Sequence, residues 1–209
     1  MTSLANRRSV MTLYADPADP TGHAVRIVLA EKDVNVEVCF VTEETKPEDL
    51  HGLNPYHTIL TLVDRELVLY DAQIMLEYLD ERYPHPPLMP VDPASRASNR
   101  QLRYRVTRDL LSLADAFRRG GPPAEAARAA KVMRDNLHAI APILARHKYF
   151  MSDDYSLVDC CLAPLLWRLP AYGIELMADA KPLLRYAEAL FARGAFRTSL
   201  STSERRMRH

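Results

Sequence analysis

Pro84-His85-Pro86-Pro87-Leu88-Met89-Pro90-Val91-Asp92-Pro93 holds five prolines in ten residues. Proline has a fixed φ and no amide hydrogen, so this run fits neither a helix interior nor a central strand. It reads as a semi-rigid extended linker, and it divides the chain into two parts of different character. On its N-terminal side, 10–14 reads as a short strand and Asp19-Pro20 as a helix start, with an acidic cap followed by proline at the first helical position. Val25, Val28 and Leu29 then recur at helical spacing within 24–32. Val34, Val36, Val38 and Phe40 alternate with polar neighbours, which is strand period. Segments 59–63 and 66–69 form a hairpin about Asp64-Arg65, and 71–83 returns to helix with Leu76, Leu79 and Tyr83 on one face. On the C-terminal side everything reads as helix: 95–118, 124–146 with a bend at Pro142, 156–169 and 182–193. Ser156 and Asp159 make a capping-box pattern ahead of the apolar run 160–167.

The order βαβ, then a connecting segment, then ββα is that of a thioredoxin-like domain. The expected division is therefore 1–83 as a thioredoxin-like α/β domain, 84–93 as the proline-rich linker and 94–209 as an all-α domain. The chain has 209 residues, 48% of them hydrophobic and 26% charged, which excludes disordered and low-complexity classes. Its 27 basic and 27 acidic residues cancel, arguing against a protein that coats nucleic acid by bulk charge. The charge is nonetheless split. Residues 1–82 carry 7 basic against 15 acidic side chains, net −8, and residues 83–209 carry 20 against 12, net +8. Such polarity concerns docking orientation. Three cysteines, an odd number, read as reduced thiols in a cytoplasmic protein. No apolar core follows Arg7 and Arg8, so no secretory signal is expected, and the run 160–167 is too short to span a membrane.

The combination of a thioredoxin-like half, a proline linker, a helical half and a late capping box resembles the glutathione transferase fold. A closer resemblance is to the stringent starvation protein A family. It is carried by Arg7-Arg8-Ser9-Val10-Met11-Thr12-Leu13, Val25-Arg26-Ile27-Val28-Leu29-Ala30-Glu31-Lys32, Thr61-Leu62-Val63-Asp64-Arg65-Glu66-Leu67, the stretch 77–91 with its Pro-His-Pro-Pro-Leu-Met-Pro block, and Ser156-Leu157-Val158-Asp159-Cys160 with 162–170. The resemblance implies a non-enzymatic transcription regulator of the starvation and acid stress response. It further implies a homodimer that binds RNA polymerase holoenzyme, including its sigma subunit, with DNA contacted only through the polymerase. The partner-binding residues implied are Tyr83, Pro84, His85, Pro86 and Pro87, with Leu88 and Met89 tucked inward as anchors.

The alternative function is a glutathione-dependent transferase or peroxidase, and the resemblance to transferases locates the residues it would need. The nucleophile position falls on Asp19, whose carboxylate would repel a thiolate, so helix capping is the expected role. Tyr14 is the fallback hydroxyl, with Thr21 also near. The cis-proline position falls on Leu60, where a cis bond would cost about 3–4 kcal/mol, so a trans Ile59–Leu60 peptide is expected. The acidic–serine pair that would hold the γ-glutamyl carboxylate reads Asp71-Ala72, without the hydroxyl. A third possibility is a dimeric scaffold with an unrelated partner.

No catalytic residue, cofactor or metal site is expected. The seven histidines form no His-x-x-x-His pair and no cluster with cysteine, which argues against zinc. Cys160-Cys161 reads as core, and no glycine-rich phosphate loop is present. Arg96, Arg100 and Arg103 fall on one helix face. With Arg105 and Arg108 they form a solvated face, pair with acidic residues of the first half, dock an acidic partner, or make a seam in which 71–83 of one subunit meets 95–118 of the other.

Overall fold

Every residue of Met11–Ala15 is buried, because this first strand, β1, lies inside the sheet with a partner on each edge. The computed structural model describes residues 10–118, 122–176 and 180–208, apart from the side chains of Asp49 and Arg118. The sheet order is β2-β1-β3-β4, with β2 at Val36–Phe40, β3 at Thr61–Asp64 and β4 at Leu67–Leu69. β1 runs parallel to β2, with Leu13 opposite Val38, and antiparallel to β3, with Leu13 opposite Leu62. The β3–β4 hairpin turns where expected, and Arg65 takes a left-handed φ of 57° to close it.

The first helix, α1, spans Pro20–Glu31. It starts four residues before its apolar repeat, at the expected cap: Asp19 accepts from the amides of Thr21 (3.0 Å) and Gly22 (3.2 Å). A short α2, Glu48–Leu53, occupies the segment read only as a connection. Helix α3, Ala72–Arg82, is capped by Asp71. Residues 83–92 contain no helix or strand, and α4 then runs over Pro93–Val106 with Asp92 as cap and Pro93 at N1.

The sequence suggests one uniform helix over 95–118. The structure instead inserts a wider π turn at Thr107–Leu111 before α5, Ser112–Arg118. Asn136 Nδ2 donates to the Asp109 carbonyl within that turn (3.0 Å). Helix α6, Pro123–Ile140, ends ahead of Pro142, which has no amide hydrogen to continue the ladder. A 3₁₀ turn at Ile143–Ala145 follows in place of the expected bend.

Helix α7, Leu157–Arg168, is buried at nearly every position and is the post around which the helical part packs. Both halves of the Ser156–Asp159 capping box form. Asp159 also accepts from the Phe150 amide (3.0 Å) and the Tyr186 hydroxyl (2.7 Å), so one carboxylate joins three segments. Cys160 and Cys161 are buried in the core, as expected. After α8, Lys181–Phe191, come two short helices that periodicity does not reveal, α9 at Gly194–Ser199 and α10 at Thr202–Arg205. Among the described residues no helix is long and apolar enough to cross a membrane.

These last helices return to α1 through a buried ionic cluster. Glu204 accepts two bonds from Arg26 (2.9 and 2.7 Å) and one from Arg168, and its own cap, Ser201, donates its amide (2.7 Å). His23 adds contacts to Ser199 Oγ (2.9 Å) and to Arg168 (3.1 Å). Burial alone would raise the Glu204 carboxyl. The hydrogen bonds from Arg26 and the charges of His23, Arg26 and Arg168 outweigh it and hold the pKa at about 2. A depressed carboxyl stabilises the fold fully above the unfolded value, near 4.5, and that contribution fades as pH falls toward 2. Glu204→Ala leaves Arg26 and Arg168 buried without their counter-ion and is expected to cost about 3–5 kcal/mol at neutral pH. Urea unfolding of wild type and variant at pH 7 and at pH 3 checks this: the difference between them should shrink at the lower pH.

Candidate functional site

The segment 83–90 crosses the surface as a strap between α3 and α4, and its side chains are sorted sharply. Pro84, His85, Pro86 and Pro87 are exposed, Tyr83 is half-buried, and Leu88 and Met89 are buried in the main core. This is the arrangement expected from the sequence. The sorting has a physical cause below the strap. Lys32, the C-cap of α1, and Asp80, on the last turn of α3, form a buried ion pair (2.6 Å). Each also holds the strap backbone. Lys32 Nζ donates to the Pro86 carbonyl, and the Asp80 carboxylate accepts from the Leu88 amide (2.8 Å). The Leu88 carbonyl in turn accepts from the Leu157 amide at the start of α7 (2.9 Å). Three successive anchors thus fix the backbone from 86 to 88.

The His85–Pro86 peptide is cis. The Arg82 guanidinium lies over the Tyr83 ring, 5.4 Å from its centroid, which fixes the entry to the strap. Beside it runs a groove of about 730 Å³, lined by Pro86, Pro87, Val91, Met151, Tyr155 and Arg193 among others. Arg193 is committed to Glu31 (2.6 and 2.8 Å) and sits over the Tyr155 ring at 3.7 Å. The strap therefore presents flat apolar faces, one imidazole and few free backbone donors beside a shaped groove.

The positions a transferase would use are arranged differently. Both oxygens of Asp19 cap α1. The Ile59–Leu60 peptide is trans, as expected, because His85–Pro86 is the only cis bond among the described residues. The Leu60 side chain lies against the first turn of α1: a Cβ placed on Gly22 would be 3.6 Å from Leu60 Cδ1. Asp71 is occupied as the cap of α3, accepting from Gln73 (2.8 Å) and Ile74 (3.1 Å). Tyr14 packs in a small buried cluster with Val41, Leu50 and Ile59.

The arginine row of α4 resolves toward pairing within the chain. Arg100 and Arg103 both bind Glu77 of α3, Arg96 reaches Glu81 (3.4 Å), and Arg103 also takes Gln73 Oε1 (2.6 Å). Hydrogen bonds from Arg100 foremost hold the Glu77 carboxyl below its usual range against the cost of partial burial. Within the chain these arginines thus have acidic partners on α3. Ile74 and Tyr104 remain exposed on α3 and α4.

Comparison with known proteins agrees with this geometry. Residues 13–87 match the glutathione S-transferase N-terminal domain model and 107–193 the C-terminal domain model. The stringent starvation protein A homolog of Pasteurella multocida is 49% identical over 97% of this chain and 96% of its own length. The homolog of Coxiella burnetii is 45% identical over 97% of each. Among solved structures, a glutathione transferase from Methylococcus capsulatus superposes with a TM-score of 0.83 at 26% identity, covering 93% of this chain and 98% of that one. Ure2p in complex with glutathione superposes at 0.81 with 17% identity, over 91% and 92%, a likeness of fold alone.

Asp80 is expected to control the strap. In Asp80→Ala the Leu88 amide loses its acceptor and Lys32 its counter-ion, at a cost of about 3–5 kcal/mol. Amide hydrogen exchange should show Leu88 deprotected by more than the global loss of stability explains, with Leu157 following it.

Proposed function

The chain belongs to the stringent starvation protein A family, and from that premise we propose that it is a transcription regulator of the starvation and acid stress response that acts by binding RNA polymerase holoenzyme. Tyr83, Pro84, His85, Pro86 and Pro87 are the contact residues in this reading. The observation that carries it is the exposure of Pro84–Pro87 on a backbone anchored from below by Lys32 and Asp80. A pre-fixed backbone loses little conformational freedom on docking, and proline rings offer apolar contact without unsatisfied amides. The sigma subunit forms part of the contacted surface, DNA is reached only through the polymerase, and the protein works in the cytoplasm as a homodimer. Exposed Ile74 and Tyr104, beside the internally paired arginines, support a dimer face that is apolar rather than ionic.

The proposal includes the absence of glutathione transferase activity. Asp19 and Asp71 are used as caps, Ala72 has no hydroxyl, and Leu60 covers the first turn of α1 where the peptide cofactor of a transferase would need an open backbone. The fold is shared with enzymes, but chemistry resides in the site and not in the fold.

Replacing Pro84, His85 and Pro86 together by alanine should abolish capture of RNA polymerase holoenzyme on the immobilised protein. Circular dichroism and the elution volume establish that the variant is folded before capture is read. A folded triple variant that captures holoenzyme as well as wild type would show that the contact lies elsewhere. Calorimetry with glutathione should give no saturable heat at millimolar concentration.

A further inference from the structure

His51 and His57 are six residues apart, a spacing that places no two ligands on one helix face. The fold nevertheless brings them together. His51 lies in the last turn of α2, and His57 follows the Asn54 turn with a left-handed φ of 55°. Their Nδ1 atoms are 3.2 Å apart and their ring centroids 5.1 Å apart, and both residues are exposed. We propose that His51 and His57 form a two-imidazole binding site for a borderline divalent metal ion such as Zn²⁺, with water completing the coordination.

The distances carry this. Two imidazole nitrogens each about 2.0–2.1 Å from one ion at a tetrahedral angle lie about 3.3 Å apart, with ring centroids roughly 5.2 Å apart. A straight N–H···N hydrogen bond of the observed length would separate the centroids by about 5.5 Å. The observed 5.1 Å matches the separation of two imidazoles on one ion, and in the absence of an ion the two Nδ1 atoms share a bent hydrogen bond.

The pair is also held in place. Asn54 is fully buried, and its Nδ2 donates to the Thr58 carbonyl (2.9 Å), Thr58 Oγ1 (2.8 Å) and Thr61 Oγ1 (3.2 Å). Its Oδ1 accepts from the Tyr56 amide (2.9 Å), and its carbonyl from the His57 amide (3.0 Å). The loop carrying His57 is thus fixed before any ion arrives. Lys46 Nζ donates to the His57 carbonyl and is paired with Glu43 (3.5 Å), so the nearby cation has its own counter-ion. Among the described residues no group of three or more His, Cys, Asp and Glu side chains is placed to hold a metal. The protein consequently supplies two ligands, and imidazole selects Zn²⁺, Cu²⁺ or Ni²⁺ over Mg²⁺ and Ca²⁺.

Titration of the full chain with zinc chloride, followed by calorimetry, tests the site. Wild type should bind one ion at this site with a Kd on the order of micromolar. His51→Ala and His57→Ala should each weaken binding about tenfold or more, while His147→Ala, a surface histidine elsewhere, should leave it unchanged. Histidine-ring NMR of wild type gives a second readout that needs no variant: His51 and His57 resonances should shift together on addition of zinc. No saturable zinc binding by wild type, binding by either variant as tight as that of wild type, or ring shifts at other histidines only would overturn the assignment.

Discussion

A lysine and an aspartate taken out of water lose hydration that their mutual attraction alone seldom repays. Lys32 and Asp80 are buried together at 2.6 Å, and each also holds one stretch of backbone, through the Pro86 carbonyl and the Leu88 amide. The arrangement joins the end of α1, the end of α3 and the strap in one node. Through the Leu88 carbonyl it continues to the first amide of α7, whose capping box engages Asp159 with the Phe150 amide and the Tyr186 hydroxyl. Sheet-side helices, strap and helical core are thereby registered by polar contacts with fixed geometry. Apolar packing alone would tolerate more slippage at this junction.

Polar groups are committed in the same way at the helix starts of the scaffold. At the N-termini of α1 and α3 the backbone amides are free to bind an anion, and in this chain Asp19 and Asp71 supply that anion from within. Leu60 then adds apolar cover at α1. The surface left with distinctive chemistry is the strap.

Most of this organisation is legible in the residues. The proline block separates two kinds of periodicity, Asp19-Pro20 and Ser156-x-x-Asp159 mark helix starts, and strand alternation places β2. The inward turn of Leu88 and Met89 follows from their being the large apolar residues in the block. Other features depend on distant partners. Lys32 and Asp80 are 48 positions apart, and nothing local says that either is buried. The π turn at Thr107–Leu111 lies within an uninterrupted helical pattern. The His51–His57 pair depends on a left-handed residue that is not glycine. One missed element did leave a signal: Ser201-x-x-Glu204 is a capping box like the earlier one, and it marks the start of α10.

The central claim is that holoenzyme recognises a strap whose shape is imposed by the buried pair beneath it. Replacing that pair with apolar residues, Lys32→Met with Asp80→Leu, separates shape from stability, since such exchanges are often neutral or stabilising by about 1–4 kcal/mol. The decisive quantity is the affinity of this double variant for RNA polymerase holoenzyme, measured on protein shown to be folded. The account predicts a marked loss of affinity although Pro84, His85, Pro86 and Pro87 are all still present. Wild-type affinity in a variant whose Leu88 amide exchanges freely would contradict it.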